Sequence, residues 1–260
     1  MNEVTNKKPL ILVTNDDGIT APGIRTLIEL MNELGDVVVL APDSPQSGMG
    51  HAITVDSTIY CENVSSNAVP QNEFRCSGTP ADCVKMAVNE ILDRRPDLCV
   101  SGINHGNNSS INVIYSGTMS AAIEAGIEGI PAIGFSILDY SWNANFEPAK
   151  KYITNIAKQV LERGLPDGVV LNVNFPKPGI EEYKGLRICR QARANWVEEF
   201  DKRVNPQGKE YYWLTGKFVN LDQGEDTDVW ALENGYVSMV PVHFDLTAHH
   251  MLGNLEAWDL

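Results

Sequence analysis

The stretch LVTNDDGI, residues 12–19, runs directly from an apolar strand signal into two adjacent carboxylates, Asp16 and Asp17. The run at residues 10–13 is apolar, rich in branched side chains and without alternation, which is typical of a strand buried on both faces of a parallel sheet. Two carboxylates desolvated together repel each other, and at least one pKa rises unless a cation lies between them. The stretch therefore predicts an α/β fold and a cation site at the end of its first strand.

The segment that follows completes a β–α–β unit. Apolar residues recur at helical spacing across residues 22–35, where Pro22 suits a first helical turn and Gly35 suits a stop. A second run of apolar, branched residues, VVVLA at 37–41, then predicts a second buried strand.

This alternation continues through the first two thirds of the chain. Thr79, Pro80 and Asp82 supply an N-cap, an N1 proline and an N3 carboxylate, which together predict a helix start. Further strands are predicted at 97–102, 131–137 and 169–175, with helices near 119–126 and 148–163. The pattern predicts a doubly wound, mainly parallel α/β sheet of the Rossmann-like type.

The alternation stops after Pro176. Residues 181–230 are rich in Trp, Tyr and charge, which indicates an extended arm or hairpin packed on another subunit, or else a local β appendage of its own monomer. The predicted organisation is a single domain over 1–260, with the α/β core at 1–176, an extension or oligomerisation arm at 177–230 and a C-terminal segment at 231–260.

The charge balance restricts the partners. The net charge is −14 and the pI is near 4.7, and no Lys/Arg cluster reverses the field locally. Long nucleic acid is therefore not expected as a partner, whereas a small phosphorylated ligand can bind where a dication inverts the local potential.

Cysteine usage and hydropathy indicate a cytoplasmic protein. The five cysteines are an odd set without a CxxC motif, which fits reduced thiols, mostly small core residues, better than disulfides or a zinc site. No apolar run approaches the ~18–20 residues of a membrane span, and the N-terminal stretch does not resemble a signal peptide. No membrane association is expected.

Three polar segments follow predicted strands, at residues 15–18, 42–50 and 101–104. Open parallel sheets bind ligands beyond the carboxyl ends of their strands, so these segments are expected to converge. Together they offer an all-oxygen set for one divalent cation per subunit, Mg²⁺ or Mn²⁺. The predicted ligands are Asp16, Asp17, Ser47 and Asn104. Taken singly, an acid or a serine in a loop is more often a turn or cap residue, and a buried asparagine more often satisfies backbone groups.

A second polar segment, residues 105–122, predicts an anion site. Hydroxyls and free backbone N–H groups at the start of its small-residue helix would face the same crevice, although an ordinary Ser/Thr cap is the alternative. The predicted phosphate or substrate contacts are Asn15, Gly106, Asn108, Ser116, Gly117 and Thr118. Two loop histidines, His51 and His105, are weaker candidates. A dinucleotide fingerprint is excluded because Ile53 stands where GMGHAI would need its third glycine.

Several of these motifs together resemble the SurE (survival protein E) family of nucleotidases. They are NDDGI-x-APG at 15–23, APD-xxx-SG at 41–48, GTPADCV at 78–84, SGIN at 101–104 and YSGT at 115–118. The segment 227–241 resembles a later part of the same family. One departure is the pair Gly50 and His51, where other members commonly carry Ser or Asn.

The resemblance implies a divalent-metal-dependent 5′-nucleotidase that releases phosphate from nucleoside 5′-monophosphates, with activity on 3′-nucleotides or short polyphosphate. It implies that the metal is held at the positions of Asp16, Asp17, Ser47 and Asn104. It also implies that C-terminal arms are swapped between subunits of a homodimer or homotetramer.

The mechanistic hypothesis is direct hydrolysis, with Asp16 or Asp17 as the group that orients or deprotonates water and with donors from Asn108, Ser116 and Thr118. An aspartyl-phosphate phosphatase of the haloacid dehalogenase type is one alternative, but it needs a DxD motif where this chain has Gly18. A non-catalytic receiver-like module is another, but it needs an acceptor Asp where this chain has the SGIN segment.

Overall fold

The computed structural model describes residues 8–66, 71–177, 179–180 and 182–258. Its strands are β1 (Leu10–Thr14), β2 (Asp36–Pro42), β3 (Cys61–Asn63), β4 (Asn72–Cys76), β5 (Leu98–His105), β6 (Ala132–Ile137), β7 (Val169–Phe175), β8 (Leu186–Ile188), β9 (Ala194–Val204), β10 (Glu210–Asn220) and β11 (Val237–His243). Its helices are α1 (Pro22–Asn32), α2 (Pro80–Met86), α3 (Gly117–Ile127), α4 (Glu147–Arg163), α5 (Asp228–Glu233) and α6 (Leu252–Glu256). A π-helical segment, Ala87–Ile91, extends α2, and 3₁₀ turns lie at Ser110–Ile114 and His249–Met251.

Within the described residues, nine strands form one sheet in the order β3-β4-β2-β1-β5-β6-β7-β11-β8. The six strands from β4 to β7 are parallel, whereas β3 pairs antiparallel with β4 and β11 pairs antiparallel with β7 and parallel with β8. From β1 the chain first proceeds to β2 and β4 on one side and then crosses back to β5, β6 and β7 on the other. The topological switch point is therefore between β1 and β5, where ligand sites of such sheets lie.

The two faces of the sheet are covered by different helices, as the sequence predicts. Ile11 and Val13 pack on the side of α1 and α4, whereas Leu12 packs on the side of α2 and α3. All three side chains are fully buried, and each contributes about 1.5–3 kcal/mol to folding. Burial on both faces explains why β1 is continuously apolar, and the doubly wound, mainly parallel α/β fold is confirmed.

Helix starts follow the predicted chemistry. Thr79 and Asp82 form a reciprocal capping box at the start of α2, with Pro80 in the first turn. Helix α1 begins at Pro22, and its second residue, Gly23, lies so close to β5 that a Cβ there would be 2.0 Å from the carbonyl oxygen of Ile103. This contact fixes α1 against the strand end that carries the candidate site.

Beyond residue 176, β8 and β11 extend the sheet, while β9 and β10 form a separate antiparallel hairpin. The predicted hairpin is thus present, and it leaves Phe200, Trp213 and Leu214 exposed. Its packing on another subunit stays a prediction. The strands β3, β4, β8 and β11 are not predicted by the sequence pattern, because they are short or only partly buried.

All five cysteines are free thiols, and those at 76, 83, 99 and 189 are buried. No helix in the described part of the chain is long and apolar enough to cross a membrane. Residues 1–7, which bear on the signal-peptide prediction, lie outside the described residues.

Candidate active site

Three loops meet at the carboxyl ends of β2, β1 and β5, which are neighbours in the sheet. The N–H of Gln46 donates to the carbonyl oxygen of Asp16 at 2.8 Å, which fixes the loop after β2 against the end of β1. The N–H of His105 donates to Oδ2 of Asp17 at 3.0 Å, which fixes the end of β5 against the same turn. The predicted convergence of these segments is confirmed.

Asp16 is the more enclosed acid of the pair, with 4% of its surface exposed. The Thr118 hydroxyl donates to its Oδ1 at 2.5 Å, and the Thr118 backbone N–H also bonds this carboxylate. Burial, together with the charge of Asp17, raises the pKa of Asp16 to about 7, against the hydrogen bonds from Thr118, which lower it. The enclosed carboxylate therefore needs further positive potential to stay ionised at neutral pH.

The start of α3 lies directly against Asp16. A Cβ added to Gly117 would be 2.7 Å from Cβ and 2.9 Å from Oδ2 of Asp16, so only glycine allows this approach. Ser116 is the N-cap of α3, and its hydroxyl oxygen accepts the N–H of Met119 at 3.0 Å. The hydroxyl and backbone N–H of Thr118 belong to the anion site predicted at this helix start. Both bond the carboxylate of Asp16, which occupies that part of the site.

Asp17 is more open than Asp16. Its Oδ2 accepts the His105 N–H, and among the described residues no donor bonds its Oδ1. Burial raises the pKa of Asp17 as well, against the opposing hydrogen bond from His105. One oxygen of Asp17 is therefore available to a ligand or to water.

Among the described residues, the side-chain nitrogen of both asparagines beside the acids is engaged in a hydrogen bond and the side-chain oxygen is not. Asn104 donates its Nδ2 to the carbonyl oxygen of Gly106 at 3.0 Å, which leaves Oδ1 as the atom that could serve as the predicted ligand. Asn15 is fully buried and donates its Nδ2 to the carbonyl oxygen of Gly18 at 2.9 Å, which closes the turn after β1. Its Oδ1 is buried without a hydrogen-bond partner in the described structure. The predicted phosphate contact of Asn15 stays a prediction.

The position of Asn104 depends on a break in the sheet. The register between β5 and β6 shifts between Ser101 and Asn104. Gly102 lies there at φ +131°, and a Cβ on it would be 2.3 Å from the carbonyl oxygen of Phe135. The strand predicted to end at residue 102 continues through this irregularity to His105.

Ser47 lies on the loop after β2, with an exposed side chain. This loop is attached to α3 at its far end, because Nε2 of His51 lies 2.7 Å from Oε2 of Glu124. The other oxygen of Glu124 accepts a hydrogen bond from Nζ of Lys85 at 2.6 Å. In the sequence Glu124 resembles an ordinary helix-surface acid, but only 2% of its surface is exposed.

Asn108 belongs to a buried amide network that the sequence pattern does not predict. Its Nδ2 donates to Oγ of Ser136 at 2.8 Å, and its backbone N–H donates to Oδ1 of Asn174 at 2.9 Å. Nδ2 of Asn172 donates to the carbonyl oxygen of Asn108 at 2.8 Å. The available signal was the pair of asparagines two residues apart on one face of the buried strand β7. The N–H of Gly106 is also engaged, since it donates to the carbonyl oxygen of Ile137.

The donor set fits a hard divalent cation. Asp16 and Asp17 both have raised pKa values, which a bound dication would lower. The buried Oδ1 of Asn15 has no hydrogen-bond partner among the described residues. Among the described residues no group of three or more His, Cys, Asp or Glu side chains could hold a metal. A cation here would therefore rely on neutral oxygens in addition to Asp16 and Asp17.

A cavity of about 620 Å³ opens beside Ser116 and His51. Its remaining walls are mainly aliphatic, with Val113, Ile114, Ile123, Ile127, Pro241 and Val242 among the lining residues. It lies between α3 and the C-terminal strand β11.

The fold and the site together define a doubly wound α/β protein with an acidic, oxygen-rich site at the topological switch point. The family model described as Survival protein SurE matches residues 11–198. Proteins named 5′-nucleotidase SurE are similar along the whole chain. The one from Christiangramia forsetii is 71% identical over 258 residues, which covers 99% of each chain. The one from Flavobacterium psychrophilum is 70% identical over 253 residues, which covers 97% of this chain and 98% of the relative.

A solved structure gives the same result. The crystal structure of the SurE protein from Aquifex aeolicus superposes with a TM-score of 0.82 at 40% identity, covering 95% of this chain and 98% of the other. The chain belongs to the SurE family.

Proposed function

We propose that this chain is a divalent-metal-dependent phosphomonoesterase that hydrolyses nucleoside 5′-monophosphates to nucleoside and phosphate, with 3′-nucleotides and short polyphosphate as further substrates. The observation that carries the proposal is the pair Asp16 and Asp17, two acids with raised pKa values at the switch point of the sheet. The name 5′-nucleotidase of relatives up to 71% identical supports it.

One Mg²⁺ or Mn²⁺ per subunit would be held by Asp16 and Asp17, with Oδ1 of Asn104 and the hydroxyl of Ser47 as neutral ligands. When bound, the cation supplies Lewis-acid polarisation of a phosphoryl oxygen and offsets the repulsion of the two carboxylates. Ser47 reaches this set through the loop that Gln46 attaches to Asp16.

The two aspartates differ in what they can do for the reaction. Asp16 is enclosed and bonded by Thr118, so we assign it a ligand role with little freedom to move. Asp17 is less enclosed and keeps Oδ1 free of hydrogen bonds from the described residues, so we assign it the role of accepting a proton from the attacking water. The water oxygen then bonds to phosphorus as the bond from phosphorus to the ester oxygen breaks, and the ester oxygen takes up a proton from solvent and leaves as the hydroxyl of the nucleoside.

Donors for the phosphoryl oxygens lie at the start of α3 and in the loop before it. The Ser116 hydroxyl accepts from Met119 and keeps its own proton to donate, and the N–H of Gly117 lies in the first turn of the helix. One amide proton of Asn108 is used by Ser136, which leaves the second for phosphate. Thr118, Asn15 and Gly106 act on the substrate indirectly. Thr118 bonds Asp16, Asn15 closes the turn that carries the two acids, and the carbonyl oxygen of Gly106 accepts the hydrogen bond that orients Asn104.

A homodimer or homotetramer is proposed through the β9–β10 hairpin, which has large exposed side chains on an extended two-stranded sheet. A cytoplasmic location agrees with five free thiols.

The test is phosphate release from a panel of nucleoside 5′-monophosphates and 3′-nucleotides, with Mg²⁺ or Mn²⁺ and after chelation. We expect turnover that needs the dication, and its loss in Asp16→Asn and Asp17→Asn proteins that remain folded by circular dichroism. Asp36→Asn is the matched control, because Asp36 is an exposed acid at the opposite end of β2.

Retained turnover in both site variants would refute the assignment. Release that is insensitive to chelation would refute the metal requirement. A phosphoenzyme trapped on an aspartate would instead favour the aspartyl-phosphate alternative.

A further inference from the structure

The loop after β6 presents two large aromatic side chains to solvent beside the candidate active site. Tyr140 is 78% exposed and Trp142 is 57% exposed. Two large aromatic rings exposed on one loop bring apolar area together at the surface, and contiguous apolar patches can mark ligand-binding grooves. Neither residue is used by the hydrolysis proposed above.

This loop is held in place by hydrogen bonds, so the rings occupy fixed positions. Nδ1 of His105 lies 2.8 Å from the carbonyl oxygen of Ser141, and the same carbonyl accepts the N–H of Ala144 at 3.0 Å. The N–H of Ser141 donates to Oδ1 of Asp139 at 2.9 Å. Phe146 closes the loop from inside, edge-on to the His105 ring at 5.5 Å.

Both rings lie against residues that directly follow the predicted ligand Asn104. The rings of Trp142 and His105 are stacked, with centroids 6.0 Å apart and planes 11° from parallel. The Tyr140 ring lies over Gly106, where a Cβ would be 2.8 Å from its Cε1 atom. Because the N–H of His105 bonds Asp17, one residue separates the acidic pair from this aromatic rim, defined as Tyr140 and Trp142.

We propose that the aromatic rim binds the nucleobase of the substrate by stacking. This inference rests on the proposed function, since only the ribose separates the base from a phosphate that lies beside Asp17. Base–aromatic stacking tolerates every base, because each has a π-face, so the rim would favour nucleotides over other phosphomonoesters without selecting one base. Purines, with the larger face, would bind more tightly than pyrimidines.

The cavity beside Ser116 is the competing location for the base. Most of its walls are aliphatic side chains from the 3₁₀ turn, α3 and β11, and its three rings already have partners, since His51 bonds Glu124 and the rings of His243 and Phe244 stack on each other. Ile127 lines this cavity at the far end of α3, away from Asp16, and so provides a matched control.

The experiment compares AMP with ribose 5-phosphate, which lacks the base, in steady-state kinetics with saturating Mg²⁺. In Trp142→Ala and Tyr140→Ala we expect KM for AMP to rise roughly 5- to 100-fold while kcat and the KM for ribose 5-phosphate stay within about twofold. Trp142→Phe keeps a ring and should recover most of the AMP affinity. Ile127→Ala should leave both substrates unchanged.

Equal losses for AMP and ribose 5-phosphate would overturn the inference, because the rim would then only hold the loop or a subunit contact. A base-selective loss in Ile127→Ala but not in Trp142→Ala would place the base in the cavity and also overturn it. If the wild-type protein hydrolyses AMP and ribose 5-phosphate equally well, the role of the rim in base binding is refuted and the proposed function is not. If it hydrolyses neither ester, the proposed function is refuted as well.

Discussion

The Thr118 hydroxyl donates to Oδ1 of Asp16 at 2.5 Å, which joins the first turn of α3 to the end of β1 across 102 positions of sequence. Removing this donor should raise the pKa of Asp16 further and weaken it as a ligand. In Thr118→Val we expect kcat/KM to fall about 10- to 100-fold, with the acidic limb of the pH–rate profile moved to higher pH.

Thr118→Ser restores the hydroxyl without the methyl group and should recover most of the activity. Equal losses in the serine and valine variants would show that packing of the Thr118 methyl group, not its hydrogen bond, supports the site.

The closeness of Gly117 to Asp16 gives a second prediction. A Cβ at position 117 would meet Cβ of Asp16 at 2.7 Å, so Gly117→Ala must displace either the helix start or the acid. We expect a drop in Mg²⁺ affinity, measured by titration calorimetry, and a drop in turnover. Gly253→Ala is the control, because a Cβ there has no atom within 4 Å. Unchanged Mg²⁺ affinity in Gly117→Ala would contradict the described contact.

The raised pKa of Asp16 predicts how the stability of the metal-free protein changes with pH. In the folded state the carboxyl of Asp16 holds its proton up to a pKa of about 7, whereas in the unfolded chain it releases the proton near its ordinary pKa of 3.8. The free energy of unfolding of the chelated protein should therefore fall as pH rises between these two values, by at most about 4 kcal/mol. Asp16→Asn should reduce this decline to the part that Asp17 contributes, because the pKa of Asp17 is also raised, and excess Mg²⁺ should offset the decline in the wild type.

Urea unfolding in the presence of chelator at several pH values measures this effect. If the free energy of unfolding falls with rising pH equally in the wild type and in Asp16→Asn, then burial does not destabilise the ionised form of Asp16 in the folded protein.

Glu124 provides a prediction for the loop that holds Ser47. Burial tends to raise the pKa of Glu124, but the hydrogen bonds from His51 and Lys85 outweigh it and hold the pKa below its usual value. Its contribution to stability is therefore present at neutral pH and is lost as pH falls through the folded pKa. Glu124→Gln should reduce the free energy of unfolding by about 1–3 kcal/mol and raise the Mg²⁺ concentration needed for turnover.

The control for this variant is Glu162→Gln, which breaks the exposed pair with Lys158 and should change stability by less than about 0.5 kcal/mol. Similar effects of the two substitutions would show that the Glu124 cluster does not support the Ser47 loop.

Much of the fold follows from the sequence because its central strands are buried on both faces. Ile11 and Leu12 enter opposite cores, so β1 is continuously apolar, and the same holds for the neighbouring parallel strands. The capping box of Thr79 and Asp82 is a local signal and was equally visible. Strand β8, at the sheet edge, is three residues long and partly exposed, so it has no such pattern.

The site was predictable in its chemistry but not in its internal contacts. The acids, Ser47 and Asn104 follow strands that the sequence predicts, and the carboxyl ends of parallel strands meet at one edge. That Thr118 bonds Asp16, and that Glu124 is buried beside His51, depends on how α3 docks on the sheet. Such contacts between distant segments leave no periodic pattern in the sequence.

The central claim is that one dication is shared by Asp16 and Asp17 with oxygen atoms from the two neighbouring loops. Crystals soaked in MnCl₂ and measured near the manganese absorption edge test it most directly. The account predicts an anomalous peak within about 2.0–2.3 Å of carboxylate oxygens of both acids, with Asn104 or Ser47 completing the coordination. A fully occupied manganese elsewhere, with no peak between the two carboxylates, would contradict it.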